Sequence, residues 1–171
     1  MAWFCKRERI DRRRKTGGGA VFHDIHNLNF SFITPKSKFD KHKSMTIIKN
    51  AIEKFGLNVE ISGRNDLLIN GAKFSGNAYL NKENAILHHG TILINTNIDI
   101  LSNVLNVNSD KLKSKGVKSV RNRVINLQQI LPKIDMQSIE DKLKKSFINT
   151  YNNNILNITP PKEEIKKLEN E

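Results

Sequence analysis

The apolar residues between positions 20 and 95 fall mostly in short runs of strand length, and this pattern restricts the chain to folds built on a β-sheet. Residues 27–34 place Leu28, Phe30 and Phe32 at every second position, as a half-buried strand does. Runs at 57–61, 67–69, 74–80 and 86–95 predict further strands, and a short strand is expected at 20–22. The middle of the chain is therefore predicted to be a sheet.

Three segments have the helical period instead. Between Ser44 and Gly56, apolar residues recur every three or four positions, and Gly56 suits a helix C-terminus. Residues 98–105 and 135–151 carry the same period, and Asp135 can cap the start of the second segment. The chain is thus expected to combine a sheet with helices.

Size and charge limit the classes of function. The 171 residues correspond to one domain or part of one, and a formal net charge of +12 favours anionic partners, namely nucleic acid, nucleotide phosphates or acidic protein surfaces. Cys5 is the only cysteine, which excludes an internal disulfide. Residues 1–11 are basic and lack both a strand or helix period and the apolar core of a secretion signal, so a poorly ordered leader is expected. Apolar runs are too short to cross a membrane.

A basic cluster followed by three glycines is the strongest chemical signal. Arg12, Arg13, Arg14 and Lys15 precede Thr16 and the triplet 17–19. Glycines expose backbone N–H groups and allow positive φ, while guanidinium groups supply charge and paired donors. The segment is therefore a candidate phosphate-binding loop, although its order matches neither a P-loop nor a dinucleotide fingerprint.

These residues and four later blocks resemble the lipoate-protein ligase family. The resemblance is carried by RRKTGGGAVFHD with the following HNLNFSF, by GRND at 63–66, by KFSGNAY at 73–79, by HHGT at 88–91 and by KGVKSVRNRV at 115–124. It implies an α+β fold, with a mixed sheet flanked by helices, that lipoate and biotin ligases share. Relatives have further sequence on both sides, so the resemblance implies a chain truncated at both ends, with a leader at 1–11, a partial catalytic domain at 12–158 and a charged tail at 159–171.

The resemblance also implies an activity. ATP, with Mg²⁺, would activate the substrate lipoate to lipoyl-AMP, and the lipoyl group would pass to a lysine of an acceptor lipoyl domain. The implied acceptors are E2 subunits of 2-oxoacid dehydrogenases and the glycine cleavage H protein. A monomer is expected, without nucleic acid or membrane as partner, cytoplasmic in a bacterium and mitochondrial in a eukaryote.

Site residues follow from the same motifs. The resemblance implies that Lys73 contacts both the lipoyl carbonyl and the α-phosphate, as the catalytic residue. The nucleotide and the activated acyl group would be bound by Arg14, Gly17, Gly18, Gly19, Ala20, Val21, Phe22 and Asn27, with Arg13, Asp66 and His88 as weaker candidates. Two positions depart from the family pattern, His26 (often glycine) and Asn122 (often serine).

Elementary chemistry agrees with this assignment. Attack of a carboxylate on a phosphate, and later of an amine on the mixed anhydride, builds negative charge on oxygens, which fixed cations and N–H donors stabilise. His23, His88 and His89 with Asp24 match no zinc spacing and are expected to be packed or oriented histidines. Cys5 lies outside any activating site, so the cysteine mechanism of octanoyltransferases has no candidate here.

Three alternatives remain open at this point. A lipoyltransferase could accept only preformed lipoyl-AMP on the same fold, and the chain could be an inactive fragment of the ligase. A basic nucleic-acid-binding protein is the remote alternative. In it, phosphates would be bound by Arg7, Arg9, Arg12, Arg13 and Arg14, and a base would stack on Trp3 and Phe4.

Overall fold

The computed structural model of the chain describes residues 2–4, 9–11, 16, 20–63, 65–104, 123–151 and 161. Its strands are β1 (Ala2–Phe4), β2 (Arg9–Asp11), β3 (Asn27–Pro35), β4 (Glu60–Ser62), β5 (Asp66–Ile69), β6 (Ala72–Asn81) and β7 (Ala85–Leu93). Its α-helices are α1 (Lys41–Glu53), α2 (Ile98–Val104), α3 (Leu127–Ile130) and α4 (Met136–Tyr151), and a 3₁₀ turn spans Lys36–Lys38.

Five strands form the main sheet in the order β3, β7, β6, β5, β4, and every neighbouring pair is antiparallel. An isolated parallel bridge, outside the named strand pairs, joins Lys73 of β6 to Val124. The strands β1 and β2 pair with each other in the basic leader, where the sequence pattern predicted no regular structure. The α+β class with helices on a sheet is confirmed.

Local signals explain where the two long helices begin and end. The Asp40 carboxylate accepts a hydrogen bond from the backbone N–H of Lys43 at 2.9 Å and caps α1, while Gly56, with φ of +80°, ends the turn after it. The Asp135 carboxylate accepts from the N–H of Ser138 at 2.7 Å, which confirms the predicted cap of α4. Both helices therefore lie close to where their sequence period predicts them.

The helices α1 and α4 pack side by side over one face of the sheet, which we call the covered face. Leu28, Phe30 and Phe32 of β3 contact the core beneath them, and the rings of Phe32 and Phe147 lie 5.3 Å apart. The other face, which we call the open face, carries Ile33 with 72% of its surface exposed. The sheet thus buries its core on one side and leaves the other available for a site.

Two local expectations differ from the structure. The strand predicted at 20–22 is wrong, because these residues form no ladder; Phe22 instead packs on Leu93 and Leu101 in a small second core. The helix α3 was not expected from the sequence period, since it is only four residues long; it begins with a capping box between Asn126 and Gln129. Among the helices that the structure describes, none has the length and apolar composition needed to cross a membrane.

Candidate active site

Lys73 and Asp66 form an ion pair on the open face. The Lys73 ammonium lies 2.7 Å from the Asp66 carboxylate, and the two side chains are 37% and 44% exposed. Lys73 is the second residue of β6, whereas the sequence pattern placed it between two strands. The pair is therefore held on a regular strand, within reach of a ligand in solvent.

A β-bulge decides that Lys73 faces the open side. Asp66 pairs with Gly76 and Leu67 with Ser75, but Leu68 pairs with Lys73, so Phe74 has no partner on β5. Without this extra residue, strict alternation would place Lys73 on the covered face together with Ser75. The bulge instead buries Phe74 fully in the core and puts Lys73 on the same face as Gly76 and Asp66.

Gly76 provides the space that the Lys73 side chain occupies. A methyl group at position 76 would lie 2.9 Å from both Cε and Nζ of Lys73, closer than such atoms approach. The lysine therefore lies across the glycine on its way to the carboxylate. The glycine in the KFSGNAY motif has a defined role, which is to let the ammonium reach Asp66.

The backbone of Lys73 is fixed by a neighbouring segment. Its N–H donates to the carbonyl of Arg123 at 2.8 Å, and its carbonyl accepts from the N–H of Ile125 at 2.9 Å. Asn126, just beyond, exchanges two hydrogen bonds with the backbone of Thr96, at 3.0 and 2.8 Å. Lys73 is thereby held between Leu68 of β5 on one side and the segment 123–126 on the other.

Two cavities open on this face and share Lys73, Gly76 and Thr91. The first has a volume of about 450 Å³ and includes Val21, Phe22, Asp66, Leu101 and Arg123 in its lining. The second has a volume of about 320 Å³ and includes Asn29, Ser31, Ala78, Leu87 and His89 in its lining. A cation between two adjoining cavities can contact two bound groups at once.

The loop that follows the glycine triplet is tied to the sheet. The Asn27 side chain is 5% exposed, and its amide donates to the carbonyl of Phe22 at 3.0 Å. The Asp24 carboxylate accepts from the N–H of His26 at 2.8 Å and from the N–H of Asn97 at 2.9 Å. These bonds hold Val21 and Phe22 at the wall of the first cavity.

The structure brings together only some of the predicted site residues. Lys73, Asp66, Val21 and Phe22 line the first cavity, whereas Ala20 and Asn27 line neither cavity. The predictions for Arg13, Arg14, Gly17, Gly18 and Gly19 fall outside the described residues. The ligand contacts assigned to all of these residues stay predictions.

Of the three histidines considered as metal ligands, His88 lies apart from His23 and His89. His88 and His89 are successive residues of β7 and therefore point to opposite faces; His88 is 1% exposed on the covered face, and His89 lines the second cavity with His23. Within the described part of the chain, no group of three histidine, cysteine, aspartate or glutamate side chains could hold a metal ion. Burial lowers the pKa of His88 to about 4, with smaller contributions from the charges of His89 and Lys41.

Several cavity residues were not picked out from the sequence. Leu87, His89, Thr91 and Leu93 occupy alternate positions of β7 and all line one cavity or the other. The period of two, counted from His89, could have identified Thr91 and Leu93. Leu101 and Arg123 carry no such signal, because they reach the first cavity from α2 and from the segment beside β6.

Curated relatives carry the name lipoate-protein ligase A. The chain is 42% identical over 153 residues to the one from Psychrobacter cryohalolentis, which covers 90% of this chain and 45% of the relative. It is 48% identical over 143 residues to the one from Bdellovibrio bacteriovorus, covering 81% of this chain and 42% of the relative. The chain thus spans about half the length of the curated relatives it matches.

Solved structures give the same result for the fold. A bi-partite lipoate protein ligase from Thermoplasma acidophilum, described with its E2 lipoyl domain, has a TM-score of 0.78 at 29% identity and covers 92% of this chain and 64% of that one. A lipoate-protein ligase A bound with ATP has a TM-score of 0.74 at 26% identity, covering 92% and 65%. LipL1 of P. falciparum in complex with lipoate has a TM-score of 0.67 at 34% identity, covering 86% and 41%.

The strongest comparison covers most of the chain. Residues 4–148 match the pattern described as the lipoyl protein ligase A/B catalytic domain, and this range includes every described strand of the main sheet, Lys73, Asp66 and both cavities. The chain belongs to the lipoyl protein ligase A/B catalytic domain family.

Proposed function

We propose that this chain carries the activation site of a lipoate-protein ligase. In the first step a lipoate carboxylate oxygen attacks the α-phosphorus of ATP, which forms lipoyl-AMP and releases pyrophosphate. In the second step the amine of an acceptor lysine attacks the acyl carbon and releases AMP. The family match, the names of the relatives and a related ligase solved with ATP support this proposal.

The observation that carries the proposal is the position of the Lys73 ammonium between the two cavities. Both steps move negative charge onto oxygens that flank the acyl–phosphate junction. A cation fixed in advance stabilises that charge without having to reorganise during the reaction. Lys73 is held in this way by its backbone bonds, by Asp66 and by the space above Gly76.

We assign the nucleotide to the first cavity and the acyl chain to the second. The first cavity is larger and contains Asp66 and Arg123 beside Lys73. The lining of the second cavity is mainly polar, and the aliphatic part of the acyl chain would contact Ala78 and Leu87 there. With these assignments the carboxylate and the α-phosphate meet at Lys73.

Asp66 fits a role in binding Mg²⁺ together with ATP. Mg²⁺ on a nucleotide is commonly held by one or two carboxylates, with phosphate oxygens and water completing its shell. The Asp66 carboxylate is 44% exposed at the wall of the proposed nucleotide cavity, so it is accessible for such a role. The ion, when bound, would neutralise charge on the departing pyrophosphate.

The proposed acceptor is a lysine on a lipoyl domain, as in E2 subunits or the glycine cleavage H protein. A related ligase described with its E2 lipoyl domain supports this class of partner. The net charge of +12 is suited to an acidic protein surface. We place the activity where ATP and such acceptors occur together, in the bacterial cytoplasm or in mitochondria.

Pyrophosphate release from ATP in the presence of lipoate tests the proposal. We expect release by the whole chain and a loss of about 100-fold or more in Lys73→Ala, the scale of losing one preorganised electrostatic group. Lys133→Ala is the matched control, because Lys133 is an exposed lysine in the turn between α3 and α4. This variant should keep the original rate.

The outcomes separate the alternative functions. Unchanged release in Lys73→Ala would refute the role of Lys73. Transfer from supplied lipoyl-AMP without any lipoate-dependent release would identify a lipoyltransferase. Absence of both reactions in a folded chain would identify an inactive part of the ligase.

A further inference from the structure

A hydrogen-bonded set of polar side chains, which we call the polar network, crosses the covered face and ends next to the candidate active site. Ser44 of α1, His88 of β7 and Asn77 of β6 are all buried in a core that is otherwise mainly apolar. Buried polar groups are costly unless their hydrogen bonds are satisfied. Ser44 and His88 line neither cavity and Asn77 only borders the second, so the proposed chemistry does not by itself explain why these three polar groups are buried together.

The hydrogen-bond partners determine which atoms donate and which accept along this polar network. The Asn77 side-chain amide donates to the carbonyl of Asn65 at 3.0 Å and to the hydroxyl of Ser75 at 3.3 Å, so its oxygen is the atom that faces Nε2 of His88, at 2.9 Å. Nε2 of His88 must therefore carry the proton, and Nδ1 accepts from the hydroxyl of Ser44. A neutral histidine is well suited to this place because it donates and accepts at once.

Aromatic rings fix the orientation of the imidazole. The ring of Tyr79 stacks on His88 with centroids 4.5 Å apart, and Phe30 and Phe32 meet it edge-on at 5.4 and 5.5 Å. The imidazole is thus constrained by these rings and by bonds at both nitrogens. It can hold the Asn77 side chain in one rotamer.

The end of the polar network farthest from Ser44 lies next to the Asp66–Lys73 ion pair. The carbonyl of Asn65 accepts from the backbone N–H of Asn77 and from its side-chain amide, both at 3.0 Å. Asn65 immediately precedes Asp66, whose carboxylate lies 2.7 Å from the Lys73 ammonium. These two hydrogen bonds from Asn77 fix the backbone at Asn65. They therefore determine where β5 starts and where the Asp66 side chain leaves the backbone.

We propose that His88 is a positioning residue for the active site, acting through Asn77 and the carbonyl of Asn65 on the Asp66–Lys73 pair. The proposal rests on the function proposed above for Lys73 and Asp66. Its physical basis is that small displacements of a catalytic group are expensive, and about 1 Å can cost roughly 100-fold in rate. Ser44 anchors the histidine to α1, so the helix layer and the open face are coupled.

Asn77→Asp is the most informative variant. It keeps the shape of the side chain but replaces the donating amide with a second oxygen, which would face the Asn65 carbonyl. We expect lipoate-dependent pyrophosphate release to fall by about 10-fold or more, in kcat rather than in the KM for lipoate. In an Asp66→Asn background, the same substitution should change the rate by less than about 2-fold, because its target is already lost.

Ile139→Val, a buried substitution in α4 outside the polar network, is the control for stability. At a temperature where both variants are equally folded, it should leave the rate unchanged. Equal losses in Asn77→Asp and Ile139→Val would overturn the proposal. So would a loss from Asn77→Asp that is as large in the Asp66→Asn background as in the original chain, since independent sites contribute additively.

A second readout keeps the inference testable even if the unmutated chain releases no pyrophosphate, which would refute the proposed function alone. An ion pair slows proton exchange of a lysine ammonium, which NMR of ¹⁵N-labelled lysine measures. We expect faster exchange at Lys73 in Asn77→Asp and in Ser44→Ala than in the unmutated chain, and no change in Ile139→Val. Exchange that is the same in all four proteins would overturn the positioning role.

Discussion

The covered and open faces of the sheet use the same strands for different purposes. On β7, His88 and Ile92 point to the covered face, while His89 and Thr91 point into the cavities. On β6, Phe74 is buried in the core while Lys73, one residue earlier, lies in the site. Substitutions in the apolar core of the covered face should therefore act first on stability, and those on the open face on activity.

Gly90→Ala should have the largest effect, and it tests the covered face. A methyl group there would lie 2.7 Å from Oδ1 of Asn77 and from Cζ of Phe30, and 2.8 Å from the carbonyl oxygen of Gly76. The last atom belongs to the central backbone of the sheet and cannot move alone. We expect the free energy of unfolding in urea to fall by about 3 kcal/mol; a loss within experimental error would show that β6 and β7 are not rigid.

Acid should destabilise the covered face through His88. Its pKa is lowered from 6.5 to about 4, so between these pH values the unfolded chain binds more protons than the folded one. Stability therefore falls as the pH decreases from about 6.5 to 4, by up to about 3 kcal/mol from this group. The charges of His89 and Lys41 act in the same direction as burial.

Urea midpoints at several pH values check this expectation, with His88→Gln as the comparison. The variant lacks the titrating imidazole, so its loss of stability between pH 7 and 4 should be smaller. An equal loss in both proteins would assign the acid sensitivity to carboxylates instead.

Gly76→Ala sharpens the comparison, because position 76 faces the open side opposite Asp66. The added methyl group would meet only the flexible end of Lys73, at 2.9 Å. The lysine can move away, so stability should change by less than about 1 kcal/mol, whereas pyrophosphate release should fall by roughly 10-fold as the ammonium is displaced. A stable variant with full activity would show that the position of Lys73 above Gly76 is not needed.

Tyr79→Phe should have the smallest effect. The Tyr79 hydroxyl is buried with no hydrogen-bond partner among the described residues, and burial raises its pKa to about 12. Removing an unsatisfied hydroxyl should leave stability unchanged or raise it by up to about 1 kcal/mol. Ser44→Ala, which removes a hydroxyl bonded to His88, should lower the thermal midpoint instead. A clear loss in Tyr79→Phe would reveal a partner for its hydroxyl.

Much of the fold could be predicted from short-range signals. Alternation in residues 27–34 predicted β3, the helical period and caps predicted α1 and α4, and the runs at 67–69, 74–80 and 86–95 predicted β5, β6 and β7. The run at 57–61 overlaps β4 only at residues 60–61. These signals are local, because propensity and burial act on neighbouring residues of one element. The strand expected at 20–22 is wrong, because an apolar run that packs against a core without β-pairing has the same sequence pattern as a run that pairs with another strand.

The motifs of the sequence by themselves identified the family and singled out Lys73 as the candidate catalytic residue. Only the tertiary structure decided the direction in which Lys73 points. One unpaired residue, Phe74, reverses the alternation of β6, and whether a residue is unpaired depends on the register with β5. The same holds for Asn77, whose link from His88 to Asn65 joins residues distant in the chain. Register and burial arise from contacts between segments far apart in sequence, so no local pattern in this chain could have predicted them.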